Sequence, residues 1–136
     1  MHRSTLCLCL LGCLLIGCSS SSARAAPPAI RYGEEPCAHC RMLISEPRFA
    51  AALVSVSGDA QKFDDIGCLL RYRAQHPSAA QRLWVHDYQT EAWLTASAAT
   101  CVQSSALVTP MGSGIIALAT QSAAARIAQT THGQFV

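Results

Sequence analysis

The stretch Pro36-Cys37-Ala38-His39-Cys40-Arg41-Met42 places two thiols and one thioether within six residues. Glu46-Pro47 follows closely, and the residue before a proline is pushed out of the α region, so no long helix can run on from Cys40. The preceding segment, Ser19 to Pro28, is small, polar and proline-ended, the composition of a flexible tether. The sulfur groups must therefore sit on an irregular connection, and the scaffold that holds them must come from the residues that follow.

Those residues show a repeated order. Phe49 to Val56 has the β-branched content of a strand, Ser57-Gly58-Asp59 reads as a turn, and Ala60 to Phe63 returns as the second strand of a hairpin. Asp64 or Asp65 can cap a helix running to about Gln75, with Ile66, Leu69, Leu70 and Arg73 spaced along one face. His76-Pro77 ends it, and Leu83 to Tyr88 reads as a further strand. The second half follows the same order: a strand over Cys101 to Val108, a tight turn over Met111 to Gly114, a strand over Ile115 to Ala119, and an Ala-rich helix over Gln121 to Gln129. The pattern predicts a small α+β domain of two strand–strand–helix (ββα) units, with the sulfur groups on the connections.

The start of the chain is of a different kind. Arg3 precedes a short apolar run, Leu6 to Ile16, that ends in Leu15-Ile16-Gly17-Cys18 and a serine run. A membrane span takes about 20 apolar residues, so this run is too short to be one. It resembles the lipobox of a bacterial lipoprotein signal peptide, in which Cys18 is lipidated after cleavage; the alternative is a plain secretory signal cut near Ala23-Arg24-Ala25-Ala26. The expected organisation is a signal peptide over 1–17, a lipid-anchored tether over 18–35 and one α+β domain over 36–136, since about 100 residues make one core. An anchored protein of this kind lies outside the cytoplasm, in the bacterial periplasm, where the remaining Cys37, Cys40, Cys68 and Cys101 could form disulfides.

Charge excludes one class of function: the formal net charge is +2 with Lys62 the only lysine, which leaves no nucleic-acid footprint. No Ser-His-Asp set, paired catalytic carboxylates or phosphate-binding loop is evident, so the chain does not read as an enzyme.

The chemistry lies in the sulfur atoms. Apart from the initiator, the chain has two methionines, Met42 beside the cysteine pair and Met111 within Thr109-Pro110-Met111-Gly112-Ser113-Gly114. A C-x-x-C pair lets both sulfurs reach one point, and in extended backbone Met42 shares a face with Cys40. Glycines around Met111 leave room for close approach. Thiolate and thioether donors select soft metals, with Cu(I) the leading candidate, whereas zinc usually takes four Cys or His ligands. The candidate ligands are Cys40, Met42 and Met111, with Cys37 as a fourth or alternative sulfur. His39 is either a supplementary ligand or a solvated neighbour. His86 reads as a strand residue and His132 as a tail residue. Cys68 and Cys101 read as small buried hydrophobes, with a disulfide between them as the alternative.

With these features assembled, the chain resembles the nitrous oxide reductase accessory protein family, NosL. Cys40-Arg41-Met42 matches its cysteine-x-methionine element after the lipidated residue, and Met111 its downstream methionine. The hairpin, the Phe63-Asp64-Asp65 helix entry and the Met-Gly-Ser-Gly turn are also similar. One position departs: members often carry Gly where this chain has Arg41. The resemblance implies a pair of ββα units like the organomercurial lyase core. It also implies a Cu(I) metallochaperone that hands copper to an ABC-transporter-associated maturation complex supplying the copper–sulfide centre of nitrous oxide reductase.

Two other readings stand beside it. One is a periplasmic thiol–disulfide oxidoreductase using Cys37 and Cys40, although that chemistry wants a helix starting at the first cysteine. The other is a non-catalytic lipoprotein in which Cys37–Cys40 is a structural clip. Haem attachment is excluded because Arg41 stands where C-x-x-C-H requires histidine.

Overall fold

The computed structural model describes residues 26–77 and 81–136. Strand β1 (Ala51–Ser55) is buried along its first four residues and takes an interior place in its sheet. β2 (Ala60–Phe63) pairs with it on one side, with Ala51 opposite Phe63, and β3 (Gln81–His86) on the other, with Ala51 opposite Val85. β4 (Trp93–Thr95) extends the sheet beyond β3, giving the antiparallel order β2-β1-β3-β4. A second antiparallel sheet has the order β6-β5-β7, from β5 (Thr100–Gln103), β6 (Ile115–Leu118) and β7 (Gln134–Phe135).

The predicted repeat is present and is longer than the sequence suggested. Each unit runs strand, strand, helix, and the chain then returns antiparallel along the free edge of the first strand: β3 beside β1, and β7 beside β5. Helix α1 (Ile66–Gln75) follows β2, and α2 (Gln121–Thr131) follows β6. The β5 strand is shorter than the predicted Cys101–Val108, because Ser104 leaves the ladder: its N–H bonds to Gly114 O at 3.0 Å and its Oγ donates to Thr131 O at 2.5 Å.

Burial explains where the helices sit. The α1 face turned to the core is Ile66, Cys68 and Leu69, with Tyr72 half-buried; Leu70, expected on that face, is 46% exposed. α2 is capped by Thr120, whose Oγ1 accepts the Ala123 N–H at 3.2 Å, and it buries only Ala123 and Ala124. Small side chains there allow a close approach, with Ile127 packing beside them.

β6 is the wall common to both units. Its alternate side chains point to opposite faces, so Ile115 and Ala117 join the core with Phe63, Leu69 and Val85, while Ile116 and Leu118 join Phe49, Val102 and Ala124. The sheets are stitched at Asp87, which forms a parallel bridge with Ala117; the Tyr88 N–H donates to Ala117 O at 2.8 Å and the Ala119 N–H to Asp87 Oδ1 at 2.9 Å. Burial pushes the Asp87 carboxyl up, but hydrogen bonds from Thr90, Ala119 and Gln89 outweigh it and hold the group below the ordinary carboxylate value.

Part of the segment expected as a tether is folded. Ile30 and Tyr32 pack against the first core, and the Gly33 N–H donates to Ile44 O at 2.8 Å. Residues 1–17, expected as a signal peptide, and Cys18 lie outside the described residues.

Candidate metal centre

The sulfur-bearing segment doubles back on itself. Pro36 and Leu43 form an antiparallel bridge, the Cys37 N–H donates to Met42 O at 2.8 Å, and the Arg41 N–H donates to Cys37 O at 3.0 Å. Ala38 fastens the loop to β2 through its N–H on Lys62 O at 2.8 Å, and the Lys62 ammonium pairs with Glu35. Closing so tight a turn requires a positive φ, and Arg41 supplies it at +68°. That left-handed conformation is the one glycine adopts without penalty. Arg41 therefore occupies, under strain, a backbone position suited to glycine.

This turn sorts the side chains by depth. Cys37 is 0% exposed, Cys40 is half-buried, and Met42 is 59% exposed. Cys37 and Cys40 therefore face the core while Met42 faces solvent. No helix begins at Cys37, so the pair lacks the setting a thiol–disulfide oxidoreductase uses.

Helix α1 brings a third thiol. Asp65 caps it by accepting the Gly67 N–H on Oδ1 at 2.6 Å, which sets Cys68 in the first turn, fully buried. The sulfurs of Cys37, Cys40 and Cys68 all lie within 4.8 Å of one another. Cys68 is thus not partnered with Cys101: all four described cysteines are free thiols, and Cys101 is half-buried on β5. Sequence reasoning passed over Cys68 because a cysteine on an apolar helical face looks like core.

The three thiols differ electrostatically. Burial works to raise the Cys37 pKa, but the backbone amides of Cys40, Asp64 and His39 outweigh it and bring it below the ordinary thiol value. Cys40 is raised, by burial first and then by its neighbour Cys37. Cys68 is raised further, again by burial and then by the charge on Cys37 and Cys40. Three thiolates cannot coexist this close without a cation.

Met111 reaches the same region from the second unit. Its N–H donates to Asp65 Oδ2 at 3.2 Å, so one fully buried carboxylate holds both the start of α1 and the Met111 loop. The loop lies hard against the helix at Gly67, where an added Cβ would meet Ser113 Cβ at 2.5 Å. Gly114, at φ +64°, passes so near Ser104 that a Cβ would sit 2.3 Å from its carbonyl oxygen. Met111 packs half-buried against the core cluster that contains Cys37 and Cys68.

The histidines divide clearly. His86 is buried in β3, with Nδ1 3.0 Å from Ala50 O and Nε2 3.3 Å from Tyr32 Oη. A carbonyl only accepts, so Nδ1 carries the proton and Nε2 accepts from the tyrosine. His39 is half-buried and outside the thiol cluster, and His132 caps α2 in a left-handed conformation.

A two-sheet α+β domain that gathers three soft sulfur donors at one point defines a candidate soft-metal-binding domain. The chain belongs to the NosL family, whose model matches residues 29–136. Among solved structures, the copper chaperone NosL from Shewanella denitrificans superposes with a TM-score of 0.73 at 19% identity, covering 82% of this chain and 92% of that one. A search of curated protein sequences returns no match.

Proposed function

We propose that this chain is a Cu(I) metallochaperone of the extracytoplasmic face, a carrier and not an enzyme, anchored by lipid on Cys18. Its cargo would be copper for the copper–sulfide centre of nitrous oxide reductase, handed to an ABC-transporter-associated periplasmic maturation complex. The observation that carries this reading is the convergence of the Cys37, Cys40 and Cys68 sulfurs within 4.8 Å in a NosL-family chain. Membership of the family and the likeness to a solved copper chaperone support copper as the metal. Sulfur-only donors favour its monovalent state. Cys40, Met42 and Met111 are the ligands of the delivery position, with Cys37 as the further sulfur. Met42, being exposed, is placed where an acceptor could displace it.

Titration of the reduced full chain with Cu(I) against a competing chelator, with Zn(II) in parallel, tests the reading. One Cu(I) bound in preference to Zn(II) is expected. A chain that leaves Cu(I) with the chelator would defeat it.

A further inference from the structure

Resting on that copper reading, we propose that Cys37, Cys40 and Cys68 form an interior Cu(I) position made of thiolates alone, distinct from the outer position that Cys40 shares with Met42 and Met111. The geometry is close to a finished site. Metal–sulfur bonds of about 2.3 Å set three sulfurs around one ion about 4 Å apart, and these three lie within 4.8 Å of one another before any ion enters.

The position is interior because Cys37 and Cys68 are both fully buried, whereas Met42 is 59% exposed. It is also held by two independent elements. The Cys37–Cys40 turn is fixed by backbone bonds to Met42 and Lys62, and Cys68 sits in the first turn of a ten-residue helix capped by Asp65.

Coordination number separates the candidate ions. Among the described residues no His, Asp or Glu joins the three cysteines, so a closed four-coordinate zinc site is not built here. Three soft donors suit a monovalent ion of low coordination number. Loading is ligand exchange without redox change: each thiol that binds gives its proton to solvent and regains one on release. Transfer outward needs Cys68 to let go as Met42 and Met111 engage, with Cys40 bound throughout. The competing account is that Cys68 is only a small core residue.

The test is copper K-edge X-ray absorption and chelator competition on the reduced full chain loaded with one equivalent of Cu(I), for wild type, Cys68→Ala and Met42→Ala/Met111→Ala. Wild type should show three short Cu–S bonds. The double methionine variant should bind more weakly yet keep one Cu(I) with that same signature. Cys68→Ala should lose a short sulfur and at least about tenfold in affinity. Unchanged spectrum and affinity in Cys68→Ala, or loss of all Cu(I) from the folded double variant, would overturn the interior position while leaving the copper reading in place. A wild-type chain that binds no Cu(I) would defeat both. Circular dichroism checks folding, and if Cys68→Ala does not fold, the double variant decides, since its side chains are exposed or half-exposed.

Discussion

The Asp65 carboxylate joins two segments 46 residues apart: one oxygen accepts the Met111 N–H at 3.2 Å, and the other caps α1 through Gly67 at 2.6 Å. Because Cys68 lies in the turn so capped, a single buried group sets both Cys68 and the Met111 loop.

Asp65→Asn separates the two roles. The amide oxygen can still cap Gly67, but an amide NH2 then faces the Met111 N–H, donor against donor. An unsatisfied buried donor of this kind costs about 1–3 kcal/mol. The variant should show a lower urea midpoint and faster hydrogen exchange at the Met111 amide, with α1 retained by circular dichroism. Asp65→Ala should fall by a further amount of about 1 kcal/mol as the cap is lost as well. Wild-type exchange at Met111 in Asp65→Asn would show that the carboxylate does not hold the loop.

Arg41→Gly should stabilise the protein. The residue sits at φ +68°, where a side chain costs roughly 1–2 kcal/mol. Glycine removes that strain but returns part of the gain through greater freedom in the unfolded chain. The net shift should be at most about 1 kcal/mol, read from chemical denaturation. Arg41→Ala keeps the strain and should stay near wild type, which separates a backbone effect from the loss of charge.

Much of this fold was legible because local signals agreed with the tertiary result. β2 runs over the predicted Ala60–Phe63, and α1 begins after Asp65, one of two predicted caps, and ends at the predicted Gln75. The missed strands, Trp93–Thr95 and Gln134–Phe135, have three and two residues, too short to carry a period, and exist because a neighbouring strand offers an open edge. The site divides the same way. The Cys37–Cys40 spacing announced itself, whereas the strain at Arg41 shows only in its positive φ. Cys68 could not be seen, because only the packing of α1 beneath the Cys37–Cys40 turn turns a core-like cysteine into a neighbour of two others.

Acid should weaken the fold in two windows. Desolvation lowers the His86 pKa below its ordinary value, against smaller opposing effects from Ala50 O and Glu91. The unfolded chain therefore takes up the proton first, and stability falls as pH drops below about 6.5. Asp87 is also depressed, so its contribution is present above the unfolded carboxylate value of about 3.9 and is lost as pH falls through the lower folded value. Denaturant midpoints from pH 8 to 3 should fall in both windows, and the His86 ring should titrate by NMR below the range of a free histidine. A His86 that titrates at or above that range would refute the first step.

Cys18 lies outside the described residues, and its lipidation is tested directly. Cys18→Ser should release the protein from the membrane fraction or leave the precursor uncleaved. Unaltered fractionation and processing would remove the anchor from the proposal.

The ligand set makes a graded prediction. Met111→Ala removes one thioether of the outer position and leaves every thiol in place, so Cu(I) affinity should fall by about tenfold or less. The fold should survive, because Met111 is only half-buried and its loop is held by its backbone N–H on Asp65 and by the Thr109 Oγ1 bond to the Gly114 N–H at 3.1 Å. Cys40→Ser should cost much more. Cys40 belongs to both positions and is the only anionic donor in the three-residue set with Met42 and Met111, and a serine hydroxyl is a hard ligand that a soft ion disfavours. The order wild type, Met111→Ala, Cys40→Ser in chelator competition at fixed pH is the expected result. Equal affinity in all three would place the copper elsewhere and leave the Cys37–Cys40 turn a structural feature.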